Sequence, residues 1–143
     1  MPNEPNWLAS EALIEHNRLE LSETGETHFV RDHGLLESAL ARPRNAFAYG
    51  EEDMVVLAVI LMAGIARAHA FEQGNKRTAF AAMRLFLRIN GYDTAIDDSV
   101  AWADEMISLV EHRLTEEDFT QAIRPFVVLR RLRPRPARDP IFV

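Results

Sequence analysis

The 143-residue sequence contains no cysteine. That absence excludes a disulfide framework, a thiolate zinc site and a cysteine nucleophile, and it fits a reducing compartment. Long apolar runs are missing too. The longest uncharged apolar stretch, Met54 to Ala66, is thirteen residues, where a membrane span needs ~20. It predicts a buried core helix. The N-terminus, Met1 to Asn6, lacks the basic and apolar regions of a signal peptide. A soluble, cytoplasmic protein without a membrane partner is expected. No repeat of tens of residues is visible. Lysine is nearly absent: of 16 basic residues, 15 are arginine and one is Lys76.

What is present is a globular composition, 48% hydrophobic and 27% charged, enough for one domain with its own core. Residues 1–123 hold 21 acidic against 10 basic side chains, whereas 124–143 hold six arginines against Asp139. An acidic body argues against a broad nucleic-acid surface, because affinity for a phosphate backbone comes from clustered Lys and Arg. We therefore expect a folded domain over 1–126, an Arg/Pro-rich tail over 127–143, and no direct nucleic-acid partner.

Helical periodicity dominates the chain. Ser10 is a candidate cap for a first helix carrying Leu13, Ile14 and Leu21, and Asp32 for a second carrying Leu36 and Leu40, which Pro43 should end. Residues 44–52 alternate Ala46/Ala48 with Phe47/Tyr49 before Gly50. They read as a loop or a small hairpin, the one strand-like candidate. Asp53 opens the all-round apolar helix, and Asn75 to Asn90 form another after the break at Gly74. Asp98 or Ser99 starts a fifth. Thr115 to Asp118 resembles a capping box for a sixth, stopped or kinked by Pro125. The expected class is all-α, about six helices around the central one, with a small β-hairpin flap as an option.

The chemistry concentrates in His69-Ala70-Phe71-Glu72-Gln73-Gly74-Asn75-Lys76-Arg77. A glycine turn opening a helix leaves several backbone N–H groups without intrahelical partners, at the positive end of the macrodipole. Phosphate oxygens suit such a place. Lys76 and Arg77 add a compact ammonium and a planar fork beside it. His69, at the end of the core helix, can face the same pocket and take a proton near neutral pH. A phosphate cradle with a base points to phosphoryl or nucleotidyl transfer. Singly each piece is weak, but a chance match to six fixed positions of nine is on the order of 10⁻⁶ in a chain this long. His28 and His33 lack a third ligand, and His16 reads as helix surface.

The nonapeptide, followed by Thr78-Ala79, resembles the signature of the Fic/Doc superfamily, and Lys after Gly-Asn resembles its Doc (death on curing) toxin branch. The likeness extends to Arg31 through Pro43 and to Phe86 through Tyr92. It implies an all-α Fic/Doc fold using ATP as co-substrate to modify a hydroxyl on a protein target. For the Doc branch that means γ-phosphate transfer to a threonine of translation elongation factor Tu; for Fic relatives it means AMP transfer. His69 would be the catalytic base. Gly74 and Asn75 would present amides to phosphates, with Arg67, Lys76 and Arg77 neutralising them, and 44–52 would be a flap pairing with target backbone.

Two departures bear on this. Gln73 stands where relatives carry a residue that helps hold Mg²⁺, and a carboxamide is a weaker ligand than a carboxylate; a catalytically weak binding scaffold is the matching alternative. Phe80 stands where AMP-transferring relatives have a second arginine, which favours phosphoryl transfer. No inhibitory Ser-x-x-x-Glu-Gly/Asn helix is present, so the resemblance implies a separate, Phd-like antitoxin.

Overall fold

The computed structural model describes residues 3–96 and 100–130. Among these, six helices follow one another: α1 (Ser10–Thr24), α2 (His33–Ala48), α3 (Met54–Ala68), α4 (Asn75–Ile89), α5 (Val100–Val110) and α6 (Glu116–Ile123). Two short strands, β1 (Tyr92–Thr94) and β2 (Val127–Leu129), pair antiparallel with Tyr92 opposite Leu129. The expected fifth-helix cap, Asp98 or Ser99, lies outside the described residues, as do the prolines of the tail. No helix among the described residues is long and apolar enough to cross a membrane.

The apolar run becomes α3, and its burial explains its composition. Leu57, Ala58, Val59, Leu61, Met62, Ala63, Ile65 and Ala66 are all essentially inaccessible, because α2, α4, α5 and α6 all pack on α3. A helix covered on every side has no use for a polar face. Each large side chain buried there contributes roughly 1.5–3 kcal/mol of transfer free energy. The all-α expectation holds, with a two-stranded ribbon added.

Local capping follows the sequence closely at three starts. Asp32 accepts from Leu35 N at 3.0 Å, Asp53 from Val55 N at 2.9 Å, and Thr115 with Asp118 forms a reciprocal capping box. At α1 the cap position is Ala9 and Ser10 is the first helical residue, with no side-chain cap.

The strand-like reading of 44–52 is corrected. Pro43 lies inside α2, which continues to Ala48. Proline removes one N–H bond and disfavours helical backbone before it. Burial offsets that cost: Pro43 joins Leu36, Ala39 and Leu40 on the buried face, and Phe47 meets Trp7 edge-on at 5.9 Å. One turn earlier, Arg42 donates to Ile60 O at 2.7 Å. Residues 44–52 form no hairpin. The ribbon forms instead between the segment after α4 and residues expected in the tail. Val127–Leu129 pair with β1 and Arg130 N donates to Gly91 O at 2.8 Å, so the ordered body continues past 126.

Candidate active site

The 69–77 segment joins α3 to α4 and is held from three sides. His69 ends α3 in the left-handed region, φ 50°, a conformation rare for a residue with a side chain. This turn starts a short antiparallel contact with residues 29–32. Arg31 N donates to Ala70 O at 2.7 Å and Glu72 N to Phe29 O at 2.9 Å. Phe71 is fully buried, and the Asn75 side chain clamps its backbone, accepting from Phe71 N at 3.0 Å and donating to Phe71 O at 2.8 Å. From beneath, Asn17 of α1 donates to Gln73 O at 3.0 Å.

Gly74 then caps α4 with φ 77° and no side-chain hydrogen bond. The requirement for glycine is doubled here. An added Cβ would meet Asn17 Nδ2 at 3.0 Å and Leu21 Cδ2 at 3.2 Å, on a backbone that side chains rarely adopt. The first N–H groups of α4 thus stay open at its positive end.

These groups line a cleft of about 850 Å³ between α1, α4 and α5. His69, Gln73, Gly74, Asn75, Lys76 and Arg77 all line it. Arg77 also donates to both Glu26 oxygens, at 2.7 and 2.9 Å. The Thr24 hydroxyl, and after it Arg77, hold the Glu26 carboxyl below the usual glutamate range, so Glu26 stays anionic and offsets part of the Arg77 charge. Lys76 has no carboxylate within ion-pair distance among the described residues. It is the less compensated charge of the two.

Arg67 is placed elsewhere. Its guanidinium donates to Glu116 Oε2 at 3.0 Å and Leu109 O at 2.8 Å, tying α3 to α5 and α6, and it does not line the cleft. Arg67 is thus engaged between helices and stands apart from the other residues expected at phosphate.

The structure also brings in residues that the motif does not contain. His16 and Glu20 of α1 form one wall, with His16 Nε2 3.4 Å from Glu20 Oε2. Phe80, Trp102 and Met106 make an apolar end, the two rings 6.4 Å apart. One signal for the α1 wall was available. Asn17 interrupts the stripe Leu13, Asn17, Leu21, and a polar residue on an apolar stripe marks a buried hydrogen-bond network.

For a divalent ion, the chain offers Gln73 and Glu72, both exposed and both lining the cleft beside the open amides. Among the described residues, no cluster of three His, Cys, Asp or Glu could hold a metal alone. One carboxylate and one carboxamide fit only a divalent ion that takes most of its oxygen ligands from outside the chain. His28 and His33 are apart in role: His28 bonds Asn17 at 2.7 Å, while His33 begins α2.

The chain is similar to known proteins. The model of the Fic/DOC family matches residues 7–87. "Toxin Doc" of Mycolicibacterium smegmatis is 45% identical over 87 residues, covering 59% of this chain and 66% of that protein, just under two thirds of it. "Protein kinase doc" of Escherichia phage P1 is 28% identical over 118 residues, covering 82% of this chain and 92% of that protein. The matched stretch includes the core helix, the clamped turn and most of α4, more than half of the sequence, and the chain belongs to the Fic/DOC family.

Proposed function

We propose that this chain is a toxin of a toxin–antitoxin system that transfers the γ-phosphate of ATP to a hydroxyl side chain of a protein target, translation elongation factor Tu, in the cytoplasm. The observation that carries the reading is the meeting of His69 with the open N-terminus of α4, Lys76 and Arg77 in one cleft. The names of the two relatives, a toxin and a protein kinase, support it.

In this reading the amides after Gly74 and the Lys76 ammonium take the phosphate oxygens, where aligned N–H groups bind anions without reorganising. His69 takes the proton of the target hydroxyl as its oxygen bonds to the γ-phosphorus and the bond to the β,γ-bridging oxygen breaks, releasing ADP. Gln73 and Glu72 would hold Mg²⁺, which would neutralise phosphate charge. Phe80 supports phosphoryl over AMP transfer, because an apolar ring with Trp102 replaces a cation at the apolar end of the cleft. A Phd-like antitoxin completes the system.

The test is incubation of the purified chain and the factor with ATP labelled at the γ or the α position. Label is expected from γ-ATP alone, and not with His69→Ala. Transfer from α-ATP alone would replace this reading with AMP transfer, and ATP binding without any labelling would leave a nucleotide-binding scaffold.

A further inference from the structure

Asn17 is polar and has no exposed surface. Its Nδ2 donates to Gln73 O and to Thr78 Oγ1, each at 3.0 Å. Its Oδ1 lies 2.7 Å from His28 Nδ1. With the amide hydrogens committed, Oδ1 must accept, and His28 must carry hydrogen on Nδ1. The half-buried His28 ring also packs near Phe71, with centroids 6.5 Å apart.

The consequence lies in the peptide between Gln73 and Gly74. It is trans, and in a trans peptide the carbonyl and the following N–H point in opposite directions. Binding Gln73 O beneath the loop therefore turns Gly74 N–H to the other side, where the cleft is. We infer that Asn17, fixed by His28, is a positioning residue that locks the 73–74 peptide in its anion-binding orientation. Neither residue lines the cleft, and both act through the backbone. The inference rests on the nucleotide reading above.

The alternative is an asparagine that only satisfies buried groups. Three full-length variants separate the two. His28→Leu keeps apolar bulk against Phe71 and removes the donor. His28→Asn returns an N–H near the Nδ1 position. Asn17→Asp keeps the acceptor and cannot donate to Gln73 O. Affinity for ATP is measured by calorimetry, the Gly74 amide resonance is followed by nitrogen-15 NMR with and without ATP, and thermal melting checks the fold.

His28→Leu is expected to weaken ATP binding about tenfold, the worth of one hydrogen bond with a buried acceptor left unpaired, and to blunt the ATP-induced shift of Gly74. His28→Asn should restore both to within about threefold. Asn17→Asp, if it folds, should lose more than His28→Leu. Wild-type affinity and an unchanged Gly74 response in His28→Leu would overturn the inference, as would equal losses in His28→Leu and His28→Asn. Absence of ATP binding by the wild type would overturn the nucleotide reading and this inference together.

Discussion

The starts of α3 and α4 are built to opposite ends. At α3, Asp53 receives Val55 N and Val56 N at 2.9 and 3.3 Å, and Arg124 Nη2 sits 3.0 Å from its other oxygen. At α4, Gly74 offers no side-chain cap, and the residues of the first turn, Asn75, Lys76 and Arg77, line the cleft. Both helices are 15 residues long and carry the same macrodipole. The difference teaches that capping decides whether a helix N-terminus keeps its N–H groups free for a ligand. The closed end serves folding. The open end is made affordable by constraints outside the helix: the Asn75 clamp, the contact with 29–32 and Asn17 below.

The largest expected effect comes from removing what acts at the open end. His69→Ala should slow transfer roughly 10²–10⁴-fold while the dissociation constant for ATP, measured by calorimetry, stays near the wild-type value. A parallel loss of binding would show that His69 holds nucleotide rather than protons. Next is displacement of the open end. Gly74→Ala sets a Cβ against Asn17 and Leu21 on a backbone that side chains rarely adopt, which displaces the peptide that opens α4. Gly74→Ala is expected to bind ATP roughly tenfold more weakly than the wild type, one charge-assisted hydrogen bond's worth. Wild-type affinity in folded Gly74→Ala would mean the amides do not meet the phosphates.

The same contrast explains how much was legible in the residues. Asp53 could be read because a cap is a local event, settled within three residues. The motif from His69 to Arg77 could be read because its turn, dipole and charges are contiguous in sequence. What sequence hid was long-range. Arg67 was expected at phosphate from the family resemblance, yet its partner Glu116 is 49 residues away. The 44–52 segment showed a period of two over only four residues, while Pro43, Ala46 and Phe47 fit a helical face equally well. Its packing against Trp7 decided the outcome. Val127–Leu129 became a strand only because β1 was there to pair with it. His16 and Glu20 reach the cleft from α1, and Asn17 on its apolar stripe marks a buried network there without naming α4 as the neighbour.

Breaking the closed end should cost stability and leave function alone. Asp53→Ala is expected to lower unfolding free energy by about 1 kcal/mol, the ordinary worth of an N-cap. The half-exposed ion pair to Arg124 adds little to that. Urea unfolding would measure the loss, and ATP affinity should not move. A drop in ATP affinity as large as that of Gly74→Ala would mean the two helix ends are coupled through α3, and the division between the two ends would fail.

The smallest effect is a pH dependence. Partial burial pushes the Asp53 carboxyl up, but the bond from Arg124 and the N–H groups of Val56 and Val55 outweigh it and hold the group below the ordinary aspartate value. A carboxyl depressed in the folded state binds fewer protons there than when unfolded, so unfolding takes up protons and stability rises with pH across that interval. The contribution is complete above the unfolded value, about 3.9, and is lost as pH falls through the lower folded value. Asp53→Asn keeps a capping oxygen but cannot titrate. Urea midpoints of the two proteins should differ by a constant amount from neutral pH down to about 5, and the wild-type advantage should shrink on further acidification. Glu15 and Glu26, also depressed, are present in both proteins and cancel in the difference. A wild-type advantage that does not shrink in acid would place the stabilising charge elsewhere than the capped end of α3.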